Sequence, residues 1–169
     1  MNFDPEKHHR HSICLKQYDY SQAGAYFVTI DVQNRGHLFG EIVNGEMVLN
    51  DAGKMIEEQW QALKERFPLI DLDVYQVMPD HFHGIIVIVG ATLVVVLDVG
   101  KPPTLGNIIG VFKSITTHEY IKGVENHGWQ RFSKRLWQRN YYEHVVRDET
   151  DLERIRKYIQ SNPLNWNHD

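Results

Sequence analysis

The chain has 169 residues, with 18 Lys and Arg against 22 Asp and Glu, a formal charge of −4, and one cysteine, Cys14. That length suits a single domain spanning 1–169 with its own core, and a lone cysteine excludes an internal disulfide or a thiolate zinc cluster. The polar start, Met1 to His11, lacks the apolar core of a secretion signal, and the most apolar stretch, Ile85 to Val99, is interrupted by Gly90 and Asp98; it falls short of the ~18 to 20 residues that span a bilayer, so a cytoplasmic protein with no membrane contact is expected.

Residues 1–20 read as a flexible or peripheral N-terminal segment. After it, Ala25 to Val32 is rich in aromatic and β-branched residues and predicts a strand. His37 to Ile42 and Glu46 to Leu49 flank Asn44-Gly45, a dipeptide that favours a tight hairpin turn. Asn50 or Asp51 can cap a helix whose Ala52, Ile56, Trp60, Leu63 and Phe67 recur at helical spacing up to Pro68. Leu69 to Met78 predicts a second core strand, and Pro79-Asp80 a break into a third, His81 to Val89. So short a connection implies antiparallel neighbours.

Leu93 to Leu97 has the composition of another strand, yet it lies in what reads equally as a connecting loop between Gly90 and Pro103. Beyond Pro102-Pro103-Thr104, a helix is predicted with Leu105, Ile108, Phe112 and Ile115 on one face. Trp129 to Tyr142 mixes aromatic residues with Arg131, Lys134, Arg135 and Arg139, and Val145-Val146 ends a further strand. The last helix starts near Asp148 and runs to about Asn162, with Leu152, Ile155 and Ile159 as its apolar stripe. Helices packed on a mainly antiparallel sheet make an α+β fold, with a ferredoxin-like arrangement the natural candidate.

Chemistry concentrates in Pro79-Asp80-His81-Phe82-His83-Gly84. On a strand, residues two apart share a face, so His81 and His83 present their imidazoles side by side. Two neutral imidazoles and one oxygen ligand leave open positions on an octahedral divalent ion, which can then grip a phosphate oxygen. Nitrogen ligands favour Mn²⁺; abundance favours Mg²⁺. At about 100° per residue, Tyr158 and Asn162 lie about 40° apart on one shoulder of the last helix. The Asn162 amide oxygen could be the third metal ligand and the Tyr158 phenol a nucleophile toward phosphorus.

From Lys101 onward there are 11 Lys and Arg against 8 Asp and Glu, so basic balance sits in the C-terminal part. The Trp129 to Tyr142 stretch reads equally as a strand edge with solvated charges or as a platform stacking unpaired bases. His144 reads equally as a buried strand histidine or a DNA contact.

These residues together resemble the REP-associated tyrosine transposases, relatives of the single-tyrosine HUH transposases. The match rests on Met78 to Gly84, Phe112-Lys113-Ser114, Trp137-Gln138-Arg139, His144 to Arg147, and Tyr158 to Pro163. The resemblance implies a ferredoxin-like domain with His81, His83 and Asn162 holding Mg²⁺ or Mn²⁺ and Tyr158 as nucleophile. It implies cleavage and rejoining of single-stranded DNA at hairpin-forming repeats through a 5′-phosphotyrosine. Lys113, Arg135, Trp137, Arg139 and Arg147 are the expected DNA contacts, and relatives act as monomers or homodimers. The competing readings are a hairpin-binding protein without catalysis and a phosphodiesterase using water.

Overall fold

Gly24–Asp31 forms the predicted first strand (β1), in a computed structural model that describes residues 23–89 and 100–168. A 3-10 turn at Gln33–Arg35 leads to the hairpin strands β2 (Gly40–Val43) and β3 (Glu46–Leu49). Asn44 and Gly45 both have positive φ, 52° and 77°, as a tight hairpin turn with the right twist requires. Asn50 caps α1 (Asp51–Gln61), its side chain accepting from the Gly53 N–H at 2.9 Å. The single helix predicted up to Pro68 breaks at Ala62, and a short α2 (Leu63–Arg66) follows.

The two core strands are β4 (Ile70–Val77) and β5 (His81–Ile88), joined by the expected short break. After it, α3 (Leu105–His127) starts at the Thr104 cap and ends at Gly128, whose φ of +68° closes the helix in the left-handed region. Its buried stripe includes Leu105, Ile108 and Phe112 as predicted, with Ile109 and Thr116 in place of Ile115. Strand β6 (Tyr142–Val145) and helix α4 (Glu149–Ser161) follow, and a 3-10 turn at Pro163–His168 closes the described chain. The strand reading of Leu93 to Leu97 and the reading of residues 1–20 lie outside the described residues. No helix among the described residues is long and apolar enough to cross a membrane.

The main sheet has the order β4-β5-β1-β6 with antiparallel neighbours throughout, and β2 and β3 form a separate two-stranded sheet. This is the ferredoxin-like order: α1 carries the chain from β1 across to β4, and α3 carries it from β5 to the far side of β1. One face of the sheet is covered by α1 and α3. There Tyr26, Val28 and Ile30 of β1 meet Phe82, Ile86 and Ile88 of β5, with Ile56, Trp60 and Phe112 from the helices. The other face is covered by α4, where Phe27 and Ile85 pack on Ile155 and Ile159.

The period-2 alternation of β5 therefore has a definite outcome. Phe82 points into the larger core, while His81 and His83 point to the α4 face. Gly84 is required by the helix opposite, since a Cβ there would lie 2.5 Å from Cζ2 of the fully buried Trp60. Register aligns Asp31 with His81 and Thr29 with His83, so the histidines sit where β1 ends and β5 begins.

Candidate active site

Both histidines are buried, and their Nε2 atoms stand 2.9 Å apart. Asn162, the C-cap of α4, brings its Oδ1 to 3.3 Å from His81 Nε2. The far nitrogens are fixed from behind. His81 Nδ1 lies 2.6 Å from Asp80 Oδ1, and His83 Nδ1 lies 2.8 Å from the Thr29 hydroxyl. Asp80 is itself buried and takes Arg35 Nε at 2.8 Å on its other oxygen, so it is an ionised acceptor and His81 Nδ1 carries the proton. Arg35 also pairs with Asp31 at 2.5 Å. Asn34 and Arg35 adopt the left-handed region, with φ of 60° and 54°, and this turn puts the guanidinium between the two carboxylates.

In the tautomer with a proton on each Nδ1, which Asp80 favours at His81 and the Thr29 hydroxyl accommodates at His83, three lone-pair atoms converge: two imidazole nitrogens and one amide oxygen. Adjacent ligands on an octahedral ion with bonds of about 2.1 Å are about 3 Å apart, close to the 2.9 and 3.3 Å spacings here. Without a cation or a shared proton, three such acceptors repel. The donor set therefore fits a divalent ion, and the open coordination positions suit a phosphate oxygen. Burial, reinforced by the neighbouring His81 and Arg35, drives His83 well below its ordinary pKa against the opposing Asn162 contact, so it is the neutral ligand form. Among the described residues no group of three His, Cys, Asp or Glu stands together in a way that could hold a metal ion.

Tyr158 sits one helical turn before Asn162, its ring 5.4 Å from the His83 ring and edge-on to Phe27 at 6.0 Å. Helix α4 is held there by more than its apolar stripe. His144 on β6 meets Asp151 Oδ2 at 2.8 Å, where the Arg147 N–H also donates, and Arg154 takes the other oxygen. Burial alone would raise the Asp151 carboxyl, but the His144 and Arg154 hydrogen bonds and the Arg147 N–H outweigh it and bring its pKa to about 2. Farther along, Arg156 pairs with Asp73 of β4 at 2.6 Å. His144 is thus a docking residue for the helix, the role its sequence context left open.

The structure distributes the expected DNA contacts unevenly. Lys113 gives its ammonium to the carbonyls of Gln138, Arg139 and Asn140 at 2.9 to 3.2 Å, with burial pushing its pKa down to about 8. It is a staple for that loop. Trp137 is buried, donates from Nε1 to the Thr116 hydroxyl at 2.9 Å, and packs on Phe39. Trp129 covers Gly123, where a Cβ would lie 2.0 Å from its ring, and meets Tyr120. Of the aromatic residues in this stretch, Trp137 is thus core, while Trp129, Phe132, Tyr141 and Tyr142 are half-buried against it. Arg135, Arg139 and Arg147 are exposed.

Sequence reasoning passed over Asp80, Arg35, Thr29, His37 and Trp166. Asp80 was signalled by adjacency to His81 alone; the others come from distant segments with no local pattern. Trp166, in the closing turn, stacks on His81 at 6.0 Å and 26°, and His37 meets the Trp166 ring at 5.4 Å.

No protein-family model matches the chain. An uncharacterised Haemophilus influenzae protein is 38% identical over 96% of this chain and 92% of that protein. A Haemophilus influenzae protein named as a putative REP-associated tyrosine transposase is 25% identical, over 86% of this chain and 73% of that one. The solved structure of a REP-associated tyrosine transposase bound to a REP hairpin shares the fold, with TM-score 0.62 and 19% identity, covering 89% of this chain and 72% of that chain.

Proposed function

From the premise that this chain belongs to one family with the uncharacterised Haemophilus protein and is related to the REP-associated tyrosine transposases, whose fold it has, we propose that it is a metal-dependent nuclease and strand transferase of single-stranded DNA. The observation that carries this reading is the convergence of His81, His83 and Asn162 beneath Tyr158. A divalent ion bound by those three residues would supply Lewis-acid stabilisation of the charge developing on a phosphate oxygen.

Asp80 favours the Nδ1-protonated tautomer of His81 and the Thr29 hydroxyl holds the His83 ring, so that both Nε2 atoms face the ligand position. The α4 backbone places the Tyr158 phenol one turn from Asn162 and beside His83. Its oxygen attacks the phosphorus, the bond to the 3′ oxygen breaks, and the DNA 5′ phosphate is left on tyrosine. The phenol gives up a proton and the leaving 3′ oxygen takes one, so the step is proton-neutral. One phosphodiester replaces another, and attack by a different 3′-hydroxyl rejoins strands. Exposed Arg135, Arg139 and Arg147 contact phosphates, with Lys113 shaping the loop that carries Arg139. Hairpin-forming repeat DNA is the proposed substrate, a reading supported by the structural neighbour's being bound to a REP hairpin, and the cytoplasm is the proposed location.

Incubation with a labelled single-stranded hairpin oligonucleotide and Mn²⁺ tests this. Wild type should give a denaturation-resistant protein–DNA adduct that Tyr158→Phe does not form. An adduct retained in Tyr158→Phe overturns the nucleophile assignment; cleavage by wild type with no adduct points to attack by water, and binding with no cleavage of any hairpin to a non-catalytic protein.

A further inference from the structure

The proposed chemistry needs a phosphate beside the divalent ion that His81, His83 and Asn162 would hold, but a phosphate alone does not orient a flexible single strand. In the stretch Trp129 to Tyr142, the alternative candidate for that task, Trp137 is buried and the other aromatic rings are half-buried against the core. Of the four tryptophans, Trp60 and Trp137 are buried and Trp129 is laid over Gly123 and Tyr120. Trp166 differs in address: half-exposed like Trp129, it is stacked on His81 itself. His37, exposed, crosses the Trp166 ring at 61°. Two aromatic planes thus meet as a corner immediately beside the ligand nitrogens.

The corner is built on fixed supports. The closing turn is tied back by the Asn165 N–H to the Asn162 carbonyl and the Asn165 amide to the Ser161 carbonyl, both at 3.1 Å. Leu164 lies against the hairpin tip, its Cδ2 2.7 Å from where a Gly45 Cβ would stand. On the other side, His37 is followed by Leu38 and Phe39, whose N–H groups both donate to the Pro79 carbonyl, directly ahead of the histidine motif. A rigid aromatic corner loses little freedom when a flat ligand enters, and every nucleobase offers a π-face to it.

We propose that Trp166 and His37 form a stacking subsite for one unpaired nucleobase adjoining the phosphate at the divalent ion that His81, His83 and Asn162 would hold, a reading that rests on the proposed DNA-processing function. The base stacks on Trp166 and meets the His37 ring, which sets the strand's path across the site. Stacking of this kind is sequence-tolerant, so it defines a position in the strand and leaves the identity of the base open.

The test is a scan of single abasic substitutions through a hairpin oligonucleotide with single-stranded flanks, with affinity measured for wild type, Trp166→Ala, Trp166→Phe and His37→Ala. In wild type one abasic position should weaken binding by roughly 5- to 150-fold, the range of a single base–aromatic contact. That penalty should vanish in Trp166→Ala, survive in part in Trp166→Phe, and shrink in His37→Ala. Mn²⁺ affinity and thermal midpoint, measured on the same proteins, should stay with wild type. An identical abasic profile in wild type and Trp166→Ala overturns the subsite, as does a Trp166→Ala whose loss of DNA affinity is uniform along the strand. The readout is separable from the chemistry: an abasic coupling without any adduct leaves the subsite standing while the nuclease reading fails, and an adduct without coupling does the reverse.

Discussion

Replacing Asp80 by Asn removes a charge and no volume, and it tests how the proposed metal ligand His81 is held. Asp80 accepts at both oxygens, from His81 Nδ1 at 2.6 Å and from Arg35 Nε at 2.8 Å. An amide has one acceptor. If its oxygen stays with Arg35, its NH₂ faces His81 Nδ1, which must then give up its proton; the proton moves to Nε2, where it blocks the ligand lone pair. If the oxygen turns to His81, the NH₂ faces the guanidinium and two donors oppose one another. Losing a partner of this kind typically costs 10- to 100-fold in metal affinity, about 1.4 to 2.7 kcal/mol. Titration of Mn²⁺ followed by electron paramagnetic resonance reads this directly, without DNA. Asp80→Asn should bind Mn²⁺ in that weakened range while its circular dichroism spectrum stays that of wild type. An affinity within about twofold of wild type would refute the tautomer argument, because the proton on His81 would then not depend on Asp80.

Thr29→Val should weaken Mn²⁺ binding less than Asp80→Asn in the same titration, because a neutral hydroxyl holds the His83 ring where a carboxylate holds His81. Gly84→Ala should lower stability by about 1 to 3 kcal/mol in urea denaturation, since the new methyl meets the Trp60 ring of α1 at 2.5 Å in a closed core. Asp151 has a folded pKa of about 2 against an ordinary 3.8, so its contribution is complete above pH 4 and drains away as pH falls toward 2. Asp151→Asn should therefore be less stable than wild type at pH 7 by roughly 2 kcal/mol, and the two midpoints should approach each other in acid.

Much of this architecture is legible in residue order because it depends on local periodicity. Alternation in His81 to Ile88, the Asn44-Gly45 turn and the caps Asn50, Thr104 and Asp148 all act within a few residues. The juxtaposition of His81 and His83 with Tyr158 and Asn162 had its local half in the sequence too, since a strand pair and an i, i+4 helix pair each define a face without reference to the rest of the chain. What escaped was long-range. Trp137 and Lys113 carry the composition of a DNA-binding surface, and only packing shows that the indole is capped by Thr116 while the ammonium is spent on three carbonyls. The residues behind and beside the histidines, Thr29, Arg35, His37 and Trp166, belong to three segments that become neighbours only when β1 pairs with β5 and the closing turn folds back. The helix break at Ala62 likewise had no sequence signal, because Leu63 continues the apolar spacing across it.

The last helix carries both a proposed ligand and the proposed nucleophile, whereas the two histidines belong to the sheet. Detaching α4 would therefore strip the site of its third donor and its reactive oxygen in one motion, leaving a histidine pair on an intact sheet. Were a strand joined to Tyr158 as proposed, the same helix would become a tether whose far end is DNA. A pull on that strand would then work against Ile155 and Ile159 in their apolar seat and against the ion pairs of Asp151 and Arg156. Those contacts, more than the nucleophile itself, would set how firmly a severed end is kept within reach of its next partner.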